Sequence, residues 1–160
     1  MTIARPAQRL RLRAAAFSAA VLPVVFASGT TATAAPQARP WHVPVGEQSA
    51  NVAITGVQFL PGEIWINAGD TVHWTADSME PHTVSFLAVN QLPGAFNPGD
   101  PTMTMQTPQR RIGTPGEIRN SGILSRIQLA ELPPSITSYD LTFTGAGDYP
   151  YYCFLHGAAM

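Results

Sequence analysis

The residue types able to do chemistry gather at the end of the chain. Cys153, His156 and Met160 follow one another at separations of three and four, directly after a strand-like run. In a loop, those separations let a thiolate, an imidazole and a thioether turn toward one point. A further imidazole, His82, stands at the start of another strand-like run far upstream. Two imidazoles and one thiolate in a near-trigonal set, with a distant thioether, suit copper cycling between Cu(I) and Cu(II). Magnesium and calcium want oxygen donors. Structural zinc usually takes four Cys or His ligands, and the fourth candidate here is a Met.

Cys153 is the one cysteine of the chain, so no internal disulfide forms. This matters because the N-terminus reads as an export signal. Residues 1–13 are Arg-rich and acid-free, residues 14–27 form an apolar run, and Ala32-Thr33-Ala34 offers small residues at signal-peptidase spacing. Residues 1–34 are therefore expected to be a cleaved secretory signal peptide, placing the protein in the secreted or periplasmic/cell-surface space. The apolar run is shorter than the ~20 residues a spanning helix needs, and Pro23 interrupts it, so no membrane span is expected after cleavage. In an oxidising space a lone thiol pairs with another chain, lies inert in the core, or is chemically employed.

All nine basic residues are Arg, and only Arg39, Arg110, Arg111, Arg119 and Arg126 lie beyond residue 34, against ten acidic residues. That balance excludes a polybasic nucleic-acid binder and tilts long-range attraction toward cationic partners. Apolar residues make up 45% and charged residues 12%, too apolar for a disordered chain. Fifteen Pro and thirteen Gly argue against long helices.

The elements that must position the donors are short strands. The pattern predicts strands over 52–60, 64–66, 71–75, 82–89, 123–129, 139–144 and 149–153, separated by frequent turns. Residues 35–50 carry no sustained period and read as a lead-in. Residues 90–120 hold turn signals too dense for a regular sheet and read as a Pro/Gly-rich surface insertion, with at most one short strand over 103–106. The expected domain thus spans 51–160, an all-β antiparallel sandwich. On these strands His73 has polar company and reads as exposed, and a metal role for His42 is remote. Met103 and Met105 read as packing residues.

Gly69-Asp70-Thr71-Val72-His73-Trp74, then Pro81-His82-Thr83-Val84, then Gly147-Asp148-Tyr149-Pro150-Tyr151-Tyr152-Cys153 with His156, resembles plastocyanin-like type 1 (blue) copper proteins of the cupredoxin family. The resemblance covers about 51–88 and 121–160. It implies a Greek-key antiparallel β-sandwich (cupredoxin-like) holding one type 1 copper ion. His82, Cys153 and His156 would be the equatorial ligands and Met160 the weak axial ligand. Tyr149 would take the tyrosine-corner position, and Tyr152 would lie on the electron path to a partner. Three residues separate His156 from Met160, where the family commonly has two or four. Family members continue with a Gly-x-Val/Ile strand, so the closing C-terminal strand is expected to be missing here. The implied function is single-electron transport between protein redox partners by a monomer, not an enzyme. A copper carrier or store, or the first domain of a larger copper enzyme, stands as the alternative. An oxidase would need His-x-His and His-Cys-His motifs, and Tyr152 and Phe154 flank Cys153 instead.

Overall fold

The computed structural model of the 160-residue chain describes the backbone of residues 8–13 and, in full, residues 37–157 and 160. In chain order the elements are β1 (Gln8–Arg13), β2 (Pro40–Gln48), β3 (Thr55–Phe59), β4 (Glu63–Asn67), β5 (Thr71–Ala76), β6 (Ser85–Phe86), α1 (Pro101–Thr104), β7 (Arg111–Ile112), β8 (Arg119–Asn120), β9 (Ser138–Phe143) and β10 (Asp148–Tyr152). Period-two alternation builds the long ones, because successive strand side chains point to opposite faces. Ile64 and Ile66 of β4, Val72 and Trp74 of β5, and Tyr139, Leu141 and Phe143 of β9 are buried, with more exposed residues between them.

The strands form two five-stranded sheets, ordered β4-β1-β10-β6-β8 and β3-β2-β5-β9-β7. Their buried faces meet in one apolar cluster. Trp74 of the second sheet reaches across to Phe86 and Tyr151 of the first, with ring centroids 6.0 and 5.7 Å apart. Each such fully buried aromatic contributes roughly 1.5–3 kcal/mol through area removed from water.

The all-β class is as expected, but the sheets are mixed rather than purely antiparallel. β1 runs parallel to β4, β2 to β5, and β7 to β9. Residues 35–50, expected as a lead-in, carry β2, whose Val43 and Val45 are wholly buried. Pro40, Pro44 and Gly46 hide its alternation. The strand expected over 103–106 is replaced by α1, capped by Asp100, whose carboxylate accepts from Thr102 N, with Pro101 in the first turn. Residues 123–129 form no strand: Leu124 makes single bridges to His82 and Ile136. The 90–120 insertion supplies β7 to one sheet and β8 to the other, so it is built into the sandwich edges. The last strand, β10, is flanked on both sides, by β1 and β6. β1 falls within the segment expected as a leader; the rest of that segment lies outside the described residues.

Asp70 fixes the parallel pair β2/β5. One carboxylate oxygen accepts from Trp41 Nε1 and from Asn67 N, both at 2.9 Å, and the other accepts from Arg39 N at 2.9 Å. Burial alone would raise this carboxyl's pKa, but the bonds from Asn67, Trp41 and Arg39 outweigh it and hold the value below 3.8. The chain entering β2 is thereby tied to the turn that launches β5.

Candidate metal centre

His82 arrives on a two-way backbone bridge. Its N–H donates to Leu124 O and its carbonyl accepts from Leu124 N, both at 2.8 Å, and the side chain is wholly buried. Its Nε2 lies 3.1 Å from Ser78 Oγ, and that hydroxyl donates onward to Glu80 O at 3.3 Å. With its proton committed, Ser78 accepts from His82 Nε2–H. The lone pair of His82 then sits on Nδ1, which points at Cys153 Sγ from 4.0 Å.

Gly46 makes room for this ring. It sits where the β2/β3 register shifts between Val45 and Glu47, at φ +72°. A Cβ there would lie 2.6 Å from both His82 Nε2 and Ser78 Oγ. Only a residue without a side chain allows that approach.

Cys153 comes directly after β10 and is wholly buried. Thr83 N donates to its Sγ at 3.3 Å, while Thr83 Oγ1 accepts from Phe154 N at 2.8 Å, so one threonine clamps the strand end. Gly157 N donates to Cys153 O at 2.8 Å, turning the chain back and bringing His156 over the sulfur. His156 Nδ1 lies 3.3 Å from Sγ, and Nε2 donates to Glu80 Oε1 at 3.1 Å. The two imidazoles are 4.8 Å apart, centroid to centroid.

His82, Cys153 and His156 thus present ligand atoms that all lie within 4.8 Å of one another. Bond lengths of about 2.3 Å to sulfur and about 2.0 Å to nitrogen, opened to 109–120°, put a shared ion's S and N donors roughly 3.5–3.8 Å apart. The two S–N separations here, 3.3 and 4.0 Å, bracket that value. Both imidazoles offer Nδ1, and both have the other nitrogen held by a polar partner, the arrangement that orients metal-binding histidines. The residues fit a transition-metal ion of intermediate to soft character.

The electrostatics agree. Burial, the largest effect, pushes the Cys153 thiol up, yet in the metal-free protein His156 and then His82, through hydrogen bonding when a proton occupies Nδ1 and through charge, bring it down to about 6. His156 is raised, first by its bond to Cys153 and also by Glu80, against a smaller opposing effect of burial. A thiolate beside imidazole donors is therefore the resting tendency of the site.

Of the four donors singled out in the sequence, the fold brings His82, Cys153 and His156 together. Met160 is buried in the same apolar cluster as Cys153. Tyr152, beside the thiol, packs with Leu87 and Phe154 in a smaller cluster. Tyr149 donates from its hydroxyl to Gly145 O at 2.9 Å, securing the turn before β10. Sequence reasoning missed the supporting roles of Gly46, Ser78, Glu80 and Thr83. No family model matches this chain, and no solved structure matches it either.

Proposed function

We propose that this protein is an exported, mononuclear type 1 copper protein of cupredoxin-like, Greek-key fold that carries single electrons between protein redox partners. The observation that carries this reading is the set of a buried thiol, a buried imidazole and a part-buried one, each imidazole aiming Nδ1 at the sulfur and held from behind. A bound copper ion would supply one-electron Cu(I)/Cu(II) chemistry, and Met160 would be its weak axial ligand. The chain's own part is to keep the donors fixed. Ser78 and Glu80 hold the rings, Thr83 holds the sulfur, and the surrounding apolar side chains keep water out. Donors that barely move between oxidation states keep reorganisation small, which is what rapid electron exchange needs.

Burial also favours this reading over a copper carrier or store, whose ligands must exchange with solvent and partners. His82 and Cys153 are wholly inaccessible. Tyr152, next in chain to the ligand sulfur, would lie on the electron path. The test is an absorption spectrum of the exported protein after one equivalent of Cu(II). An intense blue thiolate-to-copper band is expected, and Cys153→Ser should abolish it. A colourless complex, or a blue Cys153→Ser protein, overturns the assignment.

A further inference from the structure

His42 and His73 belong to the outer face of the second sheet, away from the centre described above. β2 and β5 pair in parallel with His42 opposite His73, and β5 and β9 pair with His73 opposite Asp140. The inward partners in these strands are Val43, Val72, Trp74, Tyr139 and Leu141, so His42, His73 and Asp140 form one row across three strands on the solvent side. His42 and Asp140 are exposed and His73 is part-exposed.

The row is chemically organised. His73 Nδ1 donates to Asp140 Oδ1. The carboxylate can only accept, so the proton is fixed on Nδ1 and the lone pair of His73 on Nε2. That is the carboxylate–histidine arrangement which raises the basicity of a metal-binding imidazole and holds its ring. The His42 ring lies beside it, centroid to centroid 5.2 Å, edge toward face at 76°. The corresponding separation at the centre described above is 4.8 Å. The exposed His42 ring can turn about χ2, a soft torsion, and so reorient its nitrogens beside the neighbouring His73 ring.

We propose that His42 and His73, with Asp140 orienting His73, form a second, solvent-open site for a divalent metal ion that prefers imidazole nitrogen. Two imidazoles select Cu(II), Ni(II) or Zn(II) over Mg(II) and Ca(II), which favour oxygen. The remaining coordination positions belong to water, so an ion here exchanges freely, unlike one buried beside Cys153. The site shares no residue with the thiolate centre and does not depend on what that centre binds.

The probe is Ni(II), titrated by calorimetry into the full chain and into a His42→Ala/His73→Ala double variant at neutral pH. The parent is expected to bind one more equivalent than the double variant, whatever the thiolate centre contributes to both. In parallel, paramagnetic broadening of amide signals should be strongest around residues 42, 73 and 140. Asp140→Asn should keep the extra equivalent and weaken it about 10–100-fold, as loss of an orienting carboxylate does. Equal stoichiometry in parent and double variant overturns the site, and so does broadening that spares this row. An Asp140→Asn affinity equal to that of the parent overturns the role given to the carboxylate. Thermal melts of both variants should lie close to the parent's, since the altered side chains belong to the outer face of the sheet.

Discussion

Replacing Asp70 by Asn changes one oxygen of one side chain and should cost the fold heavily. The carboxylate accepts three N–H groups: two on one oxygen, from Trp41 and Asn67, and one on the other, from Arg39. An amide has a single oxygen. In its better orientation that oxygen keeps Trp41 and Asn67, and the amide NH2 is turned against the Arg39 N–H. One bond to a charged acceptor, worth about 1.5–3 kcal/mol, is lost outright, and the other two weaken toward neutral strength. The expected destabilisation is about 2–4 kcal/mol, a large share of the 5–15 kcal/mol that holds a typical domain together. Urea unfolding at pH 7 should show it as a lower midpoint with unchanged slope. The pH dependence has a definite sign. The folded-state value lies below 3.8, so the carboxylate's contribution is complete above 3.8 and is lost as pH falls through the lower folded value. The gap between parent and variant should therefore close only in strong acid. A variant within about 0.5 kcal/mol of the parent at pH 7, the usual range of a neutral surface change, would refute the reasoning.

Gly46→Ala should destabilise the protein by about 1–3 kcal/mol and loosen metal retention, because the new methyl meets His82 and Ser78 at 2.6 Å on a left-handed backbone; denaturation and a Zn(II) competition titration report the two effects. Ser78→Ala and Glu80→Ala should each lower metal affinity about 10–100-fold while leaving His82, Cys153 and His156 in place, read by the same titration. In metal-free protein the Cys153 value of about 6 lies well below 9.0. The ionised thiol therefore adds stability that is complete above 9.0 and lost as pH falls through about 6. The stability gap between parent and Cys153→Ser should narrow over that window, and a pH-independent gap would refute an ionised thiol.

The three donors were readable because they are rare residue types at short separations: Cys153 and His156 share one loop, and His82 follows a proline before a strand-like run. Their supports were not. Ser78 and Glu80 act through a loop that folds back on His82, and Gly46 acts through a register shift between β2 and β3, none of which has a periodic signature. The row of His42, His73 and Asp140 needs three strands in a particular register, two of them parallel, and β2 itself was disguised by its prolines. By contrast, the alternation in β4, β5, β9 and β10 located those strands closely. Asp100-Pro101, a good helix start, carried the signal for α1 that the apolar residues Met103 and Met105 obscured.

β1 lies between β4 and β10, parallel to one and antiparallel to the other. If residues 1–34 are removed on export, this strand leaves with them. Strands in a sheet are spaced about 4.8 Å apart, so its departure opens a lane roughly 10 Å wide, walled by two rows of unpaired N–H and C=O groups. A lane of that width matches one extended strand. Removal would then leave two unpaired sheet edges in the interior of one sheet, which folding must close or cover again.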